Sequence, residues 1–243
     1  MTTLEPRGAW LGVIGGLGPL VSAEFLKTIY EEGIGAREQD APRVLLYSDP
    51  SFPDRTSAFL AGEEEPITRQ LISALEQVRG AGVARTVICC VTMHHVLPRV
   101  PSDLRGQVVS LIDVIADAVT ASGEKHLLLC TTGTRRLGLF ERHPRWAEIR
   151  DRVALLSDRD QTRVHELIYE LKVNGSIDAI APALAALLPA YGVTSFIAGC
   201  TEMHFFAKRH VRQHGGGCID PLFIIARDLE ALLASSAVAG GRR

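Results

Sequence analysis

The sequence predicts an α/β fold built from parallel β-sheets covered by α-helices. Short apolar runs rich in β-branched residues alternate with stretches of helical periodicity, which is the pattern of strand–helix–strand units. This alternation passes along the chain twice, with a break near residues 113–124. With 243 residues, of which 47% are hydrophobic and 22% charged, the chain is long enough to form a large core. We therefore predict two α/β lobes, one formed by residues 1–113 and 213–243 and the other by residues 114–212.

The elements of the first lobe follow from their hydrophobic patterns. Apolar, mostly β-branched runs predict strands at 10–14, 43–47, 86–90 and 108–111. Helical spacing of apolar side chains predicts helices at 20–32, 65–81 and 113–121. In the second of these helices, the residues that recur at close to the helical period are Ile67, Leu71, Leu75 and Val78.

The second lobe repeats the pattern. Apolar runs predict strands at 126–130, 153–156 and 195–198, and helices are predicted at 160–174 and 177–191. Gly175, directly after the first of these helices, is a typical helix stop. The segment 219–233 has a strand-like start and then a helix, which we expect to return to the first lobe. Because ligands of open parallel sheets bind at the carboxyl ends of the strands, we expect the functional site at those ends.

The composition excludes several classes of partner. The formal net charge of -2 gives no reason to expect nucleic acid or an anionic membrane surface, and no apolar stretch is long enough to span a bilayer. The first seven residues lack the basic start and apolar core of a signal peptide. An odd number of cysteines, five, indicates reduced thiols in the cytoplasm, and no cysteine or histidine spacing indicates a metal site. The expected partner is a small molecule.

Two of the cysteines, Cys90 and Cys200, occupy matching places in the sequence. Each stands at the end of an apolar run, where a strand gives way to a loop and then a helix. The polar residues that follow them are Thr92, His94, Thr201, Glu202 and His204. Two thiols can remove a proton from one face of an α-carbon and return one to the other face, exchanging roles with the direction of reaction. The doubled pattern therefore favours the chemistry of a racemase that needs no cofactor such as pyridoxal phosphate.

A cysteine in an apolar run is more often a small core residue than a catalytic one, and we expect this of Cys89, Cys130 and Cys218. A catalytic thiol must be available as the thiolate near neutral pH, which a helix N-terminus or a nearby imidazolium favours. His94 follows the first thiol, and Glu202 and His204 follow the second. These three residues either tune the thiols or cap helices.

Three loops are candidates for binding an anionic substrate, and each has a plainer structural interpretation. The glycine-rich loop 15–19, which includes Gly16, either offers backbone N–H groups to an anion or is a tight turn, and it matches no nucleotide-binding motif. Arg55 either presents its planar fork to a carboxylate or pairs with Asp54 at the surface. The hydroxyl groups of 131–134 either bind a carboxylate or cap a helix.

Taken in order, six motifs resemble those of the aspartate/glutamate racemase family, in its aspartate racemase and broad-specificity amino-acid racemase branch. They are GGLGP at 15–19, PDRT at 53–56, CVTMH at 90–94, GT at 133–134, VHELIY at 164–169 and GCTE at 199–202. The likeness covers nearly the whole chain. Six motifs in the family's order make this a specific signal.

The resemblance implies two pseudo-symmetric lobes, a site in the cleft between them, and racemisation through Cys90 and Cys200 without a cofactor. Arg55 would hold the side-chain carboxylate of an acidic amino acid, and three threonines would hold its α-carboxylate and α-amino end. The residues expected to bind substrate are Gly16, Arg55, Val91, Thr92, Thr134, Lys172 and Thr201. Supporting roles are expected of His94, Glu202 and His204. Family members are commonly dimers, so a homodimer is expected.

Two positions depart from the family pattern. Val91 replaces an asparagine, so one hydrogen bond to the head group of an amino acid is missing, typically worth about 0.5–1.5 kcal/mol. The substrate-binding lysine of aspartate racemases would fall at Val173, whereas Lys172 stands one position earlier, about 100° around the helix. Both changes predict a more apolar pocket than that of a standard aspartate racemase.

Val91 leaves a second enzymatic function open. A non-racemase member of the superfamily could isomerise or decarboxylate a dicarboxylate or related acid with the same two cysteines. A third hypothesis is a binding or regulatory protein on an inactive racemase scaffold. The presence of both cysteines, together with Thr92, Thr201 and Glu202, argues against the third.

Overall fold

The computed structural model of the protein describes residues 9–33 and 35–240. Its first half forms a three-stranded parallel sheet in the order β2-β1-β3, in which Leu11 lies opposite Val44 on one side and Arg85 on the other. The elements of this half are β1 (Leu11–Gly15), α1 (Pro19–Gly33), β2 (Val44–Ser48), α2 (Arg55–Leu60), α3 (Glu64–Gly80), β3 (Arg85–Ile88), α4 (Ser102–Arg105) and α5 (Leu111–Ser122), with short 3-10 helices at Glu38–Asp40 and Thr92–Arg99.

The second half forms a four-stranded parallel sheet in the order β5-β4-β6-β7. Its elements are β4 (His126–Leu129), α6 (Thr132–Arg136), α7 (Trp146–Ile149), β5 (Val153–Ala154), α8 (Asp158–Asn174), α9 (Ala181–Ala190), β6 (Ser195–Ala198), α10 (Met203–His214), β7 (Cys218–Ile219), α11 (Pro221–Arg227) and α12 (Leu229–Gly240), with a 3-10 helix at Arg150–Arg152. Gly175 ends α8 with a φ of +62°, a left-handed conformation that glycine adopts freely. The predicted α/β class is confirmed.

The predicted strand at 108–111 is wrong. This segment contributes one isolated bridge, between Val108 and Thr86, and then becomes α5. The reason is a helix cap, because the Ser110 side chain accepts a hydrogen bond from the backbone N–H of Asp113 at 3.1 Å. An apolar, β-branched run is therefore converted into a helix start by a single hydroxyl.

One apolar cluster joins the two sheets. It contains Leu11 and Val87 from the first sheet and Leu128, Ile197 and Ile219 from the second. Each fully buried aliphatic side chain of this kind contributes on the order of 1.5–3 kcal/mol. The two sheets therefore share a continuous core.

The division of the chain into residues 1–113 with 213–243 and 114–212 remains a prediction. Strand β7 hydrogen-bonds to β6 of the second sheet, whereas α11 packs against α1 and α5. Within the described part of the chain, no helix combines the length and apolar character of a membrane span.

Candidate active site

The carboxyl ends of β3 and β6 carry the two cysteines singled out from the sequence. Cys90 and Cys200 are 7% and 6% exposed, so both sulfur atoms are nearly removed from water. The Thr201 hydroxyl, directly after Cys200, donates to the carbonyl of Cys89, directly before Cys90, at 3.2 Å, so the two strand ends that carry the thiols meet. Gly199 allows this packing, because a Cβ atom there would lie 2.5 Å from the Leu128 side chain.

The Cys200 thiol is hydrogen-bonded to a buried carboxylate. Its Sγ atom donates to Oε2 of Glu202 at 2.8 Å, and Glu202 is 2% exposed. Burial raises the pKa of Cys200 well above its ordinary value, and the charge of Glu202 raises it further, while Lys172 opposes the change. The proton of this pair therefore resides on the sulfur atom.

The glycine-rich loop supplies space for that carboxylate. A Cβ atom on Gly18 would lie 2.4 Å from Oε1 of Glu202, and this oxygen is buried without a hydrogen-bond partner. Gly16 has a φ of +80°, and its backbone N–H donates to Ser22 Oγ at 3.2 Å. The Gly16 N–H is thus used within the protein, and the loop serves as the tight turn that brings Gly18 against Glu202.

Four threonines lie at the contact between the two halves. Thr92 Oγ1 is 2.9 Å from Thr134 Oγ1, and Thr134 also contacts Thr131 Oγ1 at 3.1 Å. Thr131 caps α6 by accepting the N–H of Thr134 at 3.2 Å. Thr201 donates to the backbone carbonyl of Cys89 at 3.2 Å. These hydroxyl groups connect the strand ends of one sheet to those of the other.

Arg55 is buried, being 8% exposed, and it is held by backbone carbonyls. Its Nη1 donates to the carbonyls of Pro53 at 2.9 Å and Phe52 at 3.3 Å, and Nη2 donates to that of Leu17. The Nε atom is buried without a partner. The Nε–H group of this guanidinium therefore remains for a ligand. The predicted alternative of a surface arginine is wrong.

The electrostatic surroundings of Arg55 connect it to both strand ends. Burial alone would lower the pKa of Arg55, but the charges of Cys90, Asp54 and Glu202 and a hydrogen bond to Cys90 raise it. The guanidinium therefore stays charged and lies next to the first thiol. It can attract a negative sulfur or a substrate carboxylate at that place.

Lys172 faces the same site from α8. Its Nζ lies 4.2 Å from the centroid of the Tyr169 ring. Burial would lower the pKa of Lys172, but the charges of Glu202 and Cys200 raise it above its ordinary value. Val173, the position where the family pattern would put a lysine, is 80% exposed. The one-residue shift thus leaves the cation over the Tyr169 ring and close enough to Glu202 and Cys200 to feel their charge.

His94 supports the backbone near the first thiol. Its Nε2 accepts the backbone N–H of Leu111 at 3.0 Å, so the ring proton is on Nδ1 and is donated to the Cys90 carbonyl at 3.2 Å. Burial lowers the pKa of His94 to about 4. The histidine is therefore neutral, and it positions the Cys90 backbone instead of exchanging protons with the thiol.

The His204 side chain hydrogen-bonds with residues other than the cysteines, and the Val91 side chain packs in the apolar core. His204 is fully buried, with Nε2 2.8 Å from Thr28 Oγ1 and Nδ1 2.5 Å from Asp220 Oδ2. These contacts link α1, α10 and the start of α11. Val91 is 1% exposed and belongs to the apolar cluster that joins the sheets. Neither residue makes a hydrogen bond to a cysteine among the described residues.

A contact between the halves was missed from the sequence. The Tyr169 hydroxyl on α8 donates to Oδ2 of Asp54 at 2.6 Å, and Oδ1 of Asp54 caps α2 by accepting the Ser57 N–H at 2.8 Å. The sequence offered one signal for this contact, since Asp54 directly precedes Arg55 in one motif and Tyr169 lies in another motif on the helix of Lys172. A motif identifies a residue but does not identify its hydrogen-bond partner 115 positions away.

The chain matches known proteins over most of its length. A family model described as "Asp/Glu/Hydantoin racemase" matches residues 14–229. The structure is similar to that of Picrophilus torridus aspartate racemase, with 25% sequence identity, 95% of each chain covered and a TM-score of 0.76. An aspartate racemase homologue from Pyrococcus horikoshii OT3 matches at 22% identity, with 92% of this chain and 98% of that chain covered and a TM-score of 0.66.

A more distant neighbour is allantoin racemase from Klebsiella pneumoniae, at 15% identity, with 93% of this chain and 88% of that chain covered and a TM-score of 0.60. At this level of identity the likeness shows a shared fold. The match of the family model covers far more than half of the sequence, and it agrees with the motifs that surround both cysteines. The chain therefore belongs to the Asp/Glu/hydantoin racemase family.

Proposed function

We propose that this protein is a cofactor-independent racemase of an aspartate-like amino acid, with Cys90 and Cys200 as the opposed base and acid. The observation that carries the proposal is the pair of buried thiols, one at the end of each sheet, with Arg55 beside the first and Lys172 near the second. A base and an acid on opposite faces of one carbon are what inversion requires.

Each turnover moves two protons. The Cys90 thiolate takes the proton from the α-carbon, and the resulting carbanion takes a proton from the Cys200 thiol on the opposite face. Cys90 ends as a thiol and Cys200 as a thiolate, and the reverse reaction restores the starting state. The Arg55 guanidinium lies beside the first sulfur, and the hydrogen bond to Glu202 keeps the proton on the second sulfur in the resting state.

The two cations indicate a substrate with two carboxylates. Arg55 has its buried Nε–H group left for one carboxylate, and Lys172 offers an ammonium group near the second thiol. The hydroxyl groups of Thr92, Thr134 and Thr201 would bind the amino-acid head group. The 25% identity to an aspartate racemase supports the same substrate class.

Exchange of the α-proton with solvent tests the mechanism. The C90A and C200A variants are each expected to lose exchange of the aspartate α-proton in D₂O by at least a hundredfold. The matched control is C218A, because Cys218 lies in β7 and is partly exposed. If both variants exchange as fast as wild type and C218A, the two-thiol mechanism is refuted.

Lys172 gives a test of the substrate class. The K172M variant is expected to raise KM for aspartate about tenfold or more with a smaller change in kcat, because uniform binding is lost. The matched variant V173M should match wild type, since that side chain is exposed. An equal KM for K172M and wild type would exclude a contact between Lys172 and the substrate.

A second function, isomerisation or decarboxylation of a dicarboxylate with the same cysteines, is favoured by Val91, which brings no polar group to the position after Cys90. A panel of free amino acids and of dicarboxylates without an amino group, followed by chiral chromatography, separates the two. Turnover of dicarboxylates alone would replace the racemase proposal. We further propose a cytoplasmic location, supported by five free cysteines, and a homodimer, supported by the family resemblance.

A further inference from the structure

A cavity of about 650 Å³ lies beside the segment that follows Cys90. Its walls come from two stretches of chain, residues 94–112 and 137–144. The apolar residues that line it are Leu97, Pro98, Ile112, Leu137, Leu139 and Pro144. Of the residues assigned to the candidate active site, only His94 is among those lining it. Its volume is in the range of small-molecule sites, roughly 300–1,000 Å³.

The charged residues that line this cavity are two arginines, Arg105 and Arg142. His95 and His143 line it as well, and no aspartate or glutamate is among the lining residues. Both histidines have acidic neighbours outside the lining, with His95 Nε2 2.7 Å from Glu64 and His143 Nε2 3.5 Å from Asp113.

Unlike the two histidines, the two arginines at this cavity are not paired with an acidic side chain in the described part of the chain. Arg105 donates to the backbone carbonyl of Pro98 at 3.2 Å, and neither Arg105 nor Arg142 forms an ion pair within the described residues. Both side chains are exposed, so they stand at the rim. The N-terminus of the 12-residue helix α5, where Ile112 lines the cavity, adds partial positive charge. An apolar interior with an uncompensated cationic rim is complementary to an amphiphilic anion.

The cavity also adjoins two segments that carry site residues. The 3-10 helix Thr92–Arg99 forms part of one wall, and α6 leads directly into Leu137 in the other. The hydroxyl contact of Thr92 with Thr134 joins these segments at 2.9 Å. His94, in the wall, holds the Cys90 carbonyl. A ligand in the cavity would therefore touch the supports of the catalytic loop without touching the thiols.

We propose that this cavity is a second ligand site, which binds a small organic acid with an apolar body and a single carboxylate. The ring or branched chain of the ligand occupies the apolar interior, and the arginines at the rim take the carboxylate. The site is distinct from the one proposed for the substrate, whose cations are Arg55 and Lys172.

Calorimetric titration with indole-3-acetate tests this proposal, with indole-3-acetamide as the uncharged isostere. We expect the acid to bind and the amide to bind at least tenfold more weakly. The R105Q and R142Q variants should each weaken binding of the acid about tenfold. The matched control is R150Q, because Arg150 is exposed on a short 3-10 helix outside the cavity and should leave binding unchanged. Equal binding of the acid and the amide would overturn the proposal.

Two further measurements distinguish this cavity from the substrate site and from a contact between copies of the chain. The R55Q variant should keep binding of the acid, and loss of binding in R55Q alone would assign the probe to the substrate site and overturn the proposal. If R105Q and R142Q changed the sedimenting mass and left binding of the acid unaffected, the rim would be a contact between copies of the chain and the proposal would also fall. Binding does not depend on catalysis, so a wild-type protein that fails to exchange α-protons would refute the proposed racemase and not this site.

Discussion

The hydrogen bond between Tyr169 and Asp54 is expected to stabilise the contact between the two halves. The Y169F variant removes one hydroxyl group and keeps the aromatic ring that packs beside His165 and Lys172. A hydrogen bond to a charged group contributes roughly 1.5–3 kcal/mol. Both side chains are only partly buried, so solvent screening reduces this value, and we expect a loss of about 1–2 kcal/mol in the free energy of unfolding.

The dependence of this loss on pH follows from the two titrating groups. Burial would raise the pKa of Asp54, but its hydrogen bonds to Tyr169 and Ser57 and the charge of Lys172 lower it below its ordinary value. The stabilisation is therefore fully present above the ordinary pKa of an aspartic acid and is lost as the pH falls through the lower value of the folded state. The pKa of Tyr169 is raised, so the phenol stays protonated at neutral pH. The loss in Y169F should be constant between about pH 5 and 8.

Urea unfolding followed by circular dichroism measures this loss. The matched control is Y30F, because Tyr30 is 37% exposed on α1 and lies far along the chain from the contact. A difference between Y169F and Y30F below about 0.3 kcal/mol would refute the reasoning, as would a loss that varies steeply between about pH 5 and 8. Since Asp54 precedes Arg55, we also expect Y169F to raise KM more than it lowers kcat.

Two further substitutions probe the carboxylate beside the second thiol. E202Q removes the negative charge that helps to raise the pKa of Cys200, so at pH 8 the Cys200 thiol should react with iodoacetamide faster than in wild type. The rate is measured by peptide mass spectrometry, with Cys218 as the internal reference. An unchanged or slower rate would contradict the proposed effect of the charge. G18A puts a methyl group 2.4 Å from Oε1 of Glu202 and should lower the rate of α-proton exchange at least tenfold, with the fold retained by circular dichroism. The control G80A, whose added Cβ atom meets nothing within 4 Å, should exchange as fast as wild type. Equal rates for the two variants would show that the close approach of Gly18 to Glu202 is dispensable.

Much of the fold could be predicted from hydrophobic periodicity, because buried parallel strands and amphipathic helices have distinct patterns. The strand Ser195–Ala198 has the predicted bounds, and the helix Asp158–Asn174 ends where Gly175 indicated. The segment 108–111 shows the limit, since the hydroxyl of Ser110 outweighs the β-branched run before it.

The site could be predicted only in part, because local motifs identify residues and not their orientation. Lys172 stands one position out of register with the family pattern, yet it lies over the Tyr169 ring within reach of the charge of Glu202, and Val173 is left in solvent. His204 follows the second cysteine in sequence, but its hydrogen bonds go to Thr28 and Asp220, which come from distant parts of the chain. Such long-range partners depend on packing that no local pattern encodes.

The burial of the thiols also affects how fast peroxides oxidise this protein. Peroxides attack the thiolate far faster than the thiol. Burial raises the pKa of Cys130 and of Cys218 to about 12, and it raises the pKa of Cys89 and Cys200 as well. Four of the five sulfur atoms are thus kept in the form that resists oxidation. These four thiols are therefore expected to stay reduced during hours of handling in air.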